Sequence, residues 1–445
     1  MIVILHGWSD ESRSFQTLTK RLRALNLPGP IRPIYLGDYV TMDDDVTFDD
    51  IIRAMDRAWN EARLPRTPRS VDMIVHSTGA LVARSWMTRF FKPETNPLHR
   101  LLMLAPANFG SPLAHKGISF LGRIAKGYKS KRVFHTGKQI LRGLELASPF
   151  TRRLAMIDRF DPANRWYGPG RVLATVLVGT RGYSGIAAAA NTPGSDGTVL
   201  VSSANLNPGL LALDFATDAR KPVPMHLAAN GETAFCRVPG DNHSTIACKD
   251  SGPKHPDALE MMRSALTVED NGFVAYGATL AQRNAEYRRD EAKASYTQGY
   301  QNTVLWVRDD QHSNVGDYFF EAFAKRLNSD SEDKALTEII QREVLTSVHT
   351  NQINPACRSL KFNCDALHSL LLDQLRPLHL SITASPEIRD TGSVGYSTIA
   401  YDDIGSVKIA PNELGTIFVP DRTLFVDLTI RRQQVADLVR FRAAE

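Results

Sequence analysis

Three residues far apart in the chain, Ser77, Asp196 and His243, have the chemistry of a proton relay. A serine hydroxyl attacks a carbonyl only when a base takes its proton, and the base must itself be oriented by an acid. Ser77 lies in "SVDMIVHSTGALVARSWM", residues 70–87, where a strand-like apolar run meets small polar residues and then helical spacing. A residue at such a strand-to-helix turn is pushed beyond the sheet edge, beside the free N–H groups of the helix's first turn. Those groups and the helix dipole favour negative charge, as on the oxygen of a tetrahedral adduct. The signature of such an elbow is G-x-S-x-G. Here it reads Val75-His76-Ser77-Thr78-Gly79, with valine in place of the first glycine. The N–H of Thr78 would be one oxyanion donor. The N–H of Trp8, in the "LHGWSDES" loop after the first strand, would be the second. His6 reads as a loop-shaping side chain rather than a second base. A serine that merely caps a helix is the simpler reading of Ser77 taken alone.

The order of the other two residues adds weight. Asp196 stands in "NTPGSDGTVLVSSANL", after a strand at 171–178 and before one expected near 198–201. His243 stands in "CRVPGDNHSTIACK", after a strand at 233–238 and a Pro-Gly turn. Both follow strand ends, where parallel sheets gather their functional loops. Alone, Asp196-Gly197 could be a hairpin turn and His243 a loop histidine. Asp241 is a competing acid, but alternation points it away from the face of His243.

The elements that must position these residues alternate. Strands read at 1–5, 31–36, 71–76 and 100–105, and helices at 12–25, 48–63, 78–90 and 256–267. Such alternation means βαβ units and a mostly parallel sheet with helices on both faces. From 109 to 170 the alternation breaks. Twelve Lys or Arg, from Lys116 to Arg165, outweigh Glu145, Asp158 and Asp161, and apolar residues recur at helical spacing. This segment reads as a basic, helical insertion whose charge suits peripheral contact with an anionic membrane. Residues 269–300 are polar and read as a connector. From 301 to 445 the texture becomes strand-rich, as in "TVLWVRD" and "TLFVDLTIRR", with helical pieces near 334–347 and 365–375. That implies a second, β-rich α+β or sandwich-like domain.

Bulk properties narrow the classes. The chain has 445 residues, 43% apolar and 23% charged, with a net charge of +5. That length favours two domains. The mild charge and the lack of a zinc-finger or RNA-binding motif argue against nucleic acid. No apolar run is long enough to span a membrane, and no basic region precedes "MIVIL", so a cytoplasmic location is the default expectation, with export by a non-classical route as the alternative. Four cysteines, Cys236, Cys248, Cys357 and Cys364, form no CxxC pair. They read as reduced thiols or, alternatively, as local disulfides. No metal or cofactor motif is present.

Five motifs in order, "ILHGW", "VHSTGALVAR", "LAPANFGSPLA", "GSDGTVLVSSANL" and "DNHSTI", resemble the α/β-hydrolase superfamily, most closely its serine lipases and esterases. The resemblance spans about residues 1–268. It implies a catalytic α/β-hydrolase domain whose first two usual strands are missing. It also implies a lid-like role for about 110–170 over an acyl pocket. The expected activity is hydrolysis of a lipid or other carboxylic ester through an acyl-enzyme. An acyltransferase or amidase could use the same triad. A third reading is a non-catalytic scaffold whose C-terminal domain binds a protein partner.

Overall fold

The computed structural model describes residues 1–5, 15–41, 43–114, 137–218, 222, 224–249, 251–385 and 398–432. The chain divides into two compact units. The first comprises Met1–Pro208, Ala228–Gly299 and Asp421–Thr423, and the second Gly209–Leu227, Tyr300–Pro420 and Leu424–Glu445. This division is not contiguous in sequence. Gly209–Leu227 falls inside the expected 1–268 domain yet belongs to the second unit.

Strands β1 (Ile2–Leu5), β2 (Ile31–Ile34), β3 (Val71–His76), β4 (Leu98–Leu104) and β5 (Leu173–Gly179) belong to the first unit. Strands β6 (Gly209–Asp214) and β7 (Pro224–Ala228) join a sheet with second-unit strands, and β8 (Ala234–Val238) returns to the first. The first sheet runs β2-β1-β3-β4-β5-β8, with every pair parallel. All residues of β1, β3 and β5 are buried. Such near-continuous apolar strands mark a sheet covered on both faces. β2 is shorter than the expected 31–36 and carries Pro33, which an edge strand tolerates because one side needs no ladder bond.

The helices follow their local chemistry. Helix α1 is Gln16–Ala24. Helix α2 (Phe48–Glu61) opens on a capping box, with Thr47 Oγ1 accepting from Asp50 N and the Asp50 carboxylate accepting from Thr47 N at 2.9 Å. Helix α3 (Gly79–Phe90) is buried from Gly79 to Met87, and Trp86 packs on Trp59 of α2 at 4.6 Å. The insertion's described flanks form α4 (Lys138–Leu144) and α5 (Pro149–Asp158). Its middle, 115–136, lies outside the described residues, and so does much of the expected lid.

One expectation is corrected. The strand near 198–201 does not form; Val201–Ala204 is instead a short helix, α6. The Asp196 carboxylate accepts from Thr198 N and Val199 N, which diverts those donors from a sheet ladder. The 269–300 connector is mostly regular. After α7 (Ala258–Thr267), residues Asp270–Glu291 form the 22-residue helix α8. Its Ala, Gln, Glu and Arg content favours helix even where little apolar surface is buried. The four cysteines are buried thiols, none of them in a disulfide. Burial pushes the Cys236 thiol up to about 12 and the Cys248 thiol up to about 11.

The second unit is β-rich. Strands β9 (Tyr300–Asp309), β10 (Tyr318–Phe323), β11 (Leu345–Thr350), β12 (Cys357–Asn363), β13 (Leu378–Ala384), β14 (Val407–Ile409) and β15 (Thr423–Ile430) build two sheets. Their orders are β11-β12-β9-β15-β6-β7 and β10-β13-β14. One apolar core joins them, with Leu305, Leu360 and Val426 from one sheet and Tyr318, Ile382 and Ile409 from the other. Among the described residues, no helix is long and apolar enough to cross a membrane.

Under α3, Arg84 forms a fully buried two-pronged ion pair with Asp158 of α5 at 2.7 and 2.8 Å. Tyr167 also donates to Asp158 at 2.8 Å, and Arg84 reaches Asn108 O at 3.0 Å. Arg84→Met is expected to lower stability by about 3–5 kcal/mol, because it strands a buried carboxylate. Adding Asp158→Leu should restore part of that loss, as read by urea denaturation of the single and double variants.

In the second unit, burial, with Lys325 and Lys408 nearby, pushes the His379 imidazole down to about 4. The unfolded chain would bind this proton near pH 6.5. Between pH 6.5 and 4 the unfolded state therefore holds more protons, and stability is lost as the pH is lowered through that window. The acid-induced drop in melting temperature over that window should shrink in His379→Gln.

Candidate active site

The sharp turn after β3 sets the site. Ser77 has φ +54°, in the left-handed region that a non-glycine residue rarely adopts. Ser77 N donates to Leu104 O at the end of β4, and Ser77 O accepts from Ala80 N and Ala107 N. These bonds hold the turn while β3 stops and α3 begins. Val75, where a glycine is usual, is fully buried, and Gly79 opens the helix. Thr78 is the N-cap of α3, so its N–H stands at the helix's amino end, where first-turn donors lack intrahelical partners. Trp8, the other expected oxyanion donor, lies outside the described residues, as does His6.

Ser77, Asp196 and His243 come together. His243 Nε2 lies 3.0 Å from Ser77 Oγ, and His243 Nδ1 lies 2.8 Å from Asp196 Oδ2. Asp196 is fully buried, and its other oxygen accepts from Thr198 N at 2.9 Å and Val199 N at 2.8 Å. The backbone joins the two loops as well, since His243 N donates to Asp196 O at 3.0 Å. With Nδ1–H given to the carboxylate, Nε2 is left as the acceptor for the serine proton.

Asp241 has a different task. Its carboxylate accepts from Thr245 Oγ1 at 2.6 Å, Lys254 N at 2.7 Å and His255 N at 3.0 Å. Next to it, the Asn242 side chain accepts from Ser244 N and Thr245 N, and Asn242 N donates to Thr245 Oγ1. The loop around His243 is therefore tied to itself. It also approaches β5 closely. A Cβ on Gly179 would sit 2.2 Å from Asp241 O, so only glycine fits there.

Several supporting residues escaped the sequence reading. Ser195 Oγ donates to Thr192 O at 2.6 Å, accepts from Gly197 N at 3.1 Å and meets Tyr296 Oη at 3.2 Å. Tyr296 O accepts from Gly194 N. Tyr183 Oη lies 3.0 Å from Thr198 Oγ1, and its ring fills the space a Gly197 Cβ would need. Burial, offset in part by the Ser195 contact, pushes the Tyr296 hydroxyl up to about 12, so it stays protonated at neutral pH. Nothing local marks Tyr296 in the sequence. His76 did carry a signal, because a histidine inside an apolar strand needs a buried partner.

No family model matches the sequence, and no curated protein matches it either. Solved structures do. The phospholipase PlaB from Legionella pneumophila covers 99% of this chain and 95% of its own length, with a TM-score of 0.79 and 22% identity. The same protein in complex with thio-NAD covers 99% and 96%, with a TM-score of 0.78 and 24% identity. The chain has the α/β-hydrolase fold. In this hydrolase fold the likeness runs through the second unit too, so the β-rich unit is shared architecture rather than an unrelated appendage.

The arrangement lines up a hydroxyl, an imidazole and a buried carboxylate. Ser77 is expected to take up a fluorophosphonate, seen as added mass on the peptide that contains it. In Asp196→Asn the imidazole tautomer is no longer held, and labelling should slow by roughly 10³–10⁴-fold.

Proposed function

We propose that this protein is a serine hydrolase that cleaves lipid carboxylic esters. The observation that supports it most directly is the 3.0 Å approach of His243 Nε2 to Ser77 Oγ, with Nδ1 on Asp196. Ser77 Oγ attacks the ester carbonyl while His243 takes its proton. The carbonyl oxygen becomes an oxyanion beside the N–H of Thr78 and, in the full site, that of Trp8. Collapse expels the alcohol, which receives the proton from His243, and leaves an acyl group on Ser77. Water, deprotonated by the same imidazole, then releases the fatty acid and restores the serine.

The substrate class rests on two supports. The structures that match over nearly the full length are of a phospholipase. The sequence motifs resemble lipases and esterases most closely. Basic residues of the 110–170 insertion would favour an anionic lipid surface, and the same insertion would cover the acyl pocket as a lid. Transfer of the acyl group to an alcohol other than water would use the same steps up to the acyl-enzyme.

Hydrolysis of phospholipid vesicles and of p-nitrophenyl esters tests the reading. Ser77→Ala should lose at least ~10³-fold in rate for both while its melting curve stays that of the wild type. Full residual activity in that variant would refute the role of Ser77. Cleavage of soluble esters only would refute the lipid assignment.

A further inference from the structure

We propose that His76 is a positioning residue that sets the catalytic imidazole of His243 through the backbone; the proposal rests on the serine-hydrolase reading above. His76 is the last residue of β3, one position before the elbow, and is 1% exposed. Its Nε2 lies 2.9 Å from the carbonyl oxygen of His243. A carbonyl can only accept, so Nε2 carries the proton and donates it. The two imidazole rings also touch, with centroids 4.5 Å apart. Phe15 meets the His76 ring edge-on at 5.6 Å.

The consequence is geometric. Ser77 is fixed by β3, whereas His243 arrives on a loop 166 residues away. Backbone bonds tie that loop to the acid loop at Asp196. The His76 bond ties it to the strand that bears the nucleophile. A base must sit within hydrogen-bond reach of the proton it abstracts, and a small displacement is costly in rate. The donor at His76 Nε2 therefore fixes the separation of Ser77 Oγ and His243 Nε2 without touching substrate. Ring packing alone would not do this, because it leaves the His243 carbonyl unanchored from the β3 side.

Three substitutions separate the donor from the packing. His76→Phe keeps a flat ring and removes the donor. His76→Gln places an amide N–H near the position of Nε2. His76→Asn places one near Nδ1 and cannot reach. The loss of one neutral hydrogen bond corresponds to a rate change of about tenfold. Fluorophosphonate labelling of Ser77 and kcat for a p-nitrophenyl ester should both fall about tenfold in His76→Phe and His76→Asn, with KM unchanged. His76→Gln should recover to within about threefold of the wild type. Melting temperatures of all three are measured alongside. Equal rates in all three variants and the wild type would overturn the proposal. So would losses that follow melting temperature and ignore which variant retains the donor. A wild-type Ser77 that takes no probe would instead overturn the hydrolase reading beneath it.

Discussion

The site depends on a backbone held where a serine would not ordinarily go. Ser77 at φ +54° stores strain of about 1–3 kcal/mol, and the neighbouring structure must overdetermine it. β3 cannot yield, because every residue in it is buried between two hydrogen-bonded neighbours, β1 and β4. α3 cannot yield either. It is buried along most of its length, and Arg84 is locked to Asp158 beneath it. With both flanks rigid, the connecting turn must take the strained conformation. The hydroxyl is then presented beyond the sheet, at the amino end of a helix.

The acid and base loops solve a different problem, that of fixing flexible chain without a regular ladder. Each does so by turning side-chain oxygens onto nearby backbone N–H groups. Asp196 does this with Thr198 and Val199, and Asn242 with Ser244 and Thr245. Asp241 shows how position in such a loop decides which partners a carboxylate meets. It is as buried as Asp196, but its oxygens are taken by Thr245, Lys254 and His255. A carboxylate can orient an imidazole only with a lone pair left to give, and only Asp196 of the two is aimed that way.

The parallel core was legible because burial on both faces forces long apolar runs, and turn chemistry punctuates them. β1, β3 and β5 stand within two residues of where the pattern puts them. The order of Ser77, Asp196 and His243 was legible for a related reason, since each follows a strand end. Thr198-Val199-Leu200-Val201 was misleading because β-branched residues suit a strand, yet the carboxylate two residues upstream had already captured their N–H groups. Helix α8 was hidden for the opposite reason. Only Phe273 and Leu280 in it are buried, so no apolar stripe announces it. The assignment of Gly209–Leu227 to the second unit could not be read locally at all. β6 pairs with β15, more than 200 residues later, and nothing within β6 specifies a partner at that distance.

The support around the triad is also closed on itself. The end of β4 holds the elbow through Leu104 O and Ser77 N. The loop after β8 is bonded to the loop after β5 through His243 N and Asp196 O. His76 closes the circuit by binding the His243 carbonyl from β3. Each functional group is thus fixed through main chain as well as side chain. A dipole or base already in place costs no reorganisation when charge develops, which is where most electrostatic rate enhancement arises. Side-chain contacts alone would leave the imidazole free to follow its loop. Backbone anchoring of both loops removes that freedom, so the strained Ser77 hydroxyl and the His243 imidazole are held 3.0 Å apart.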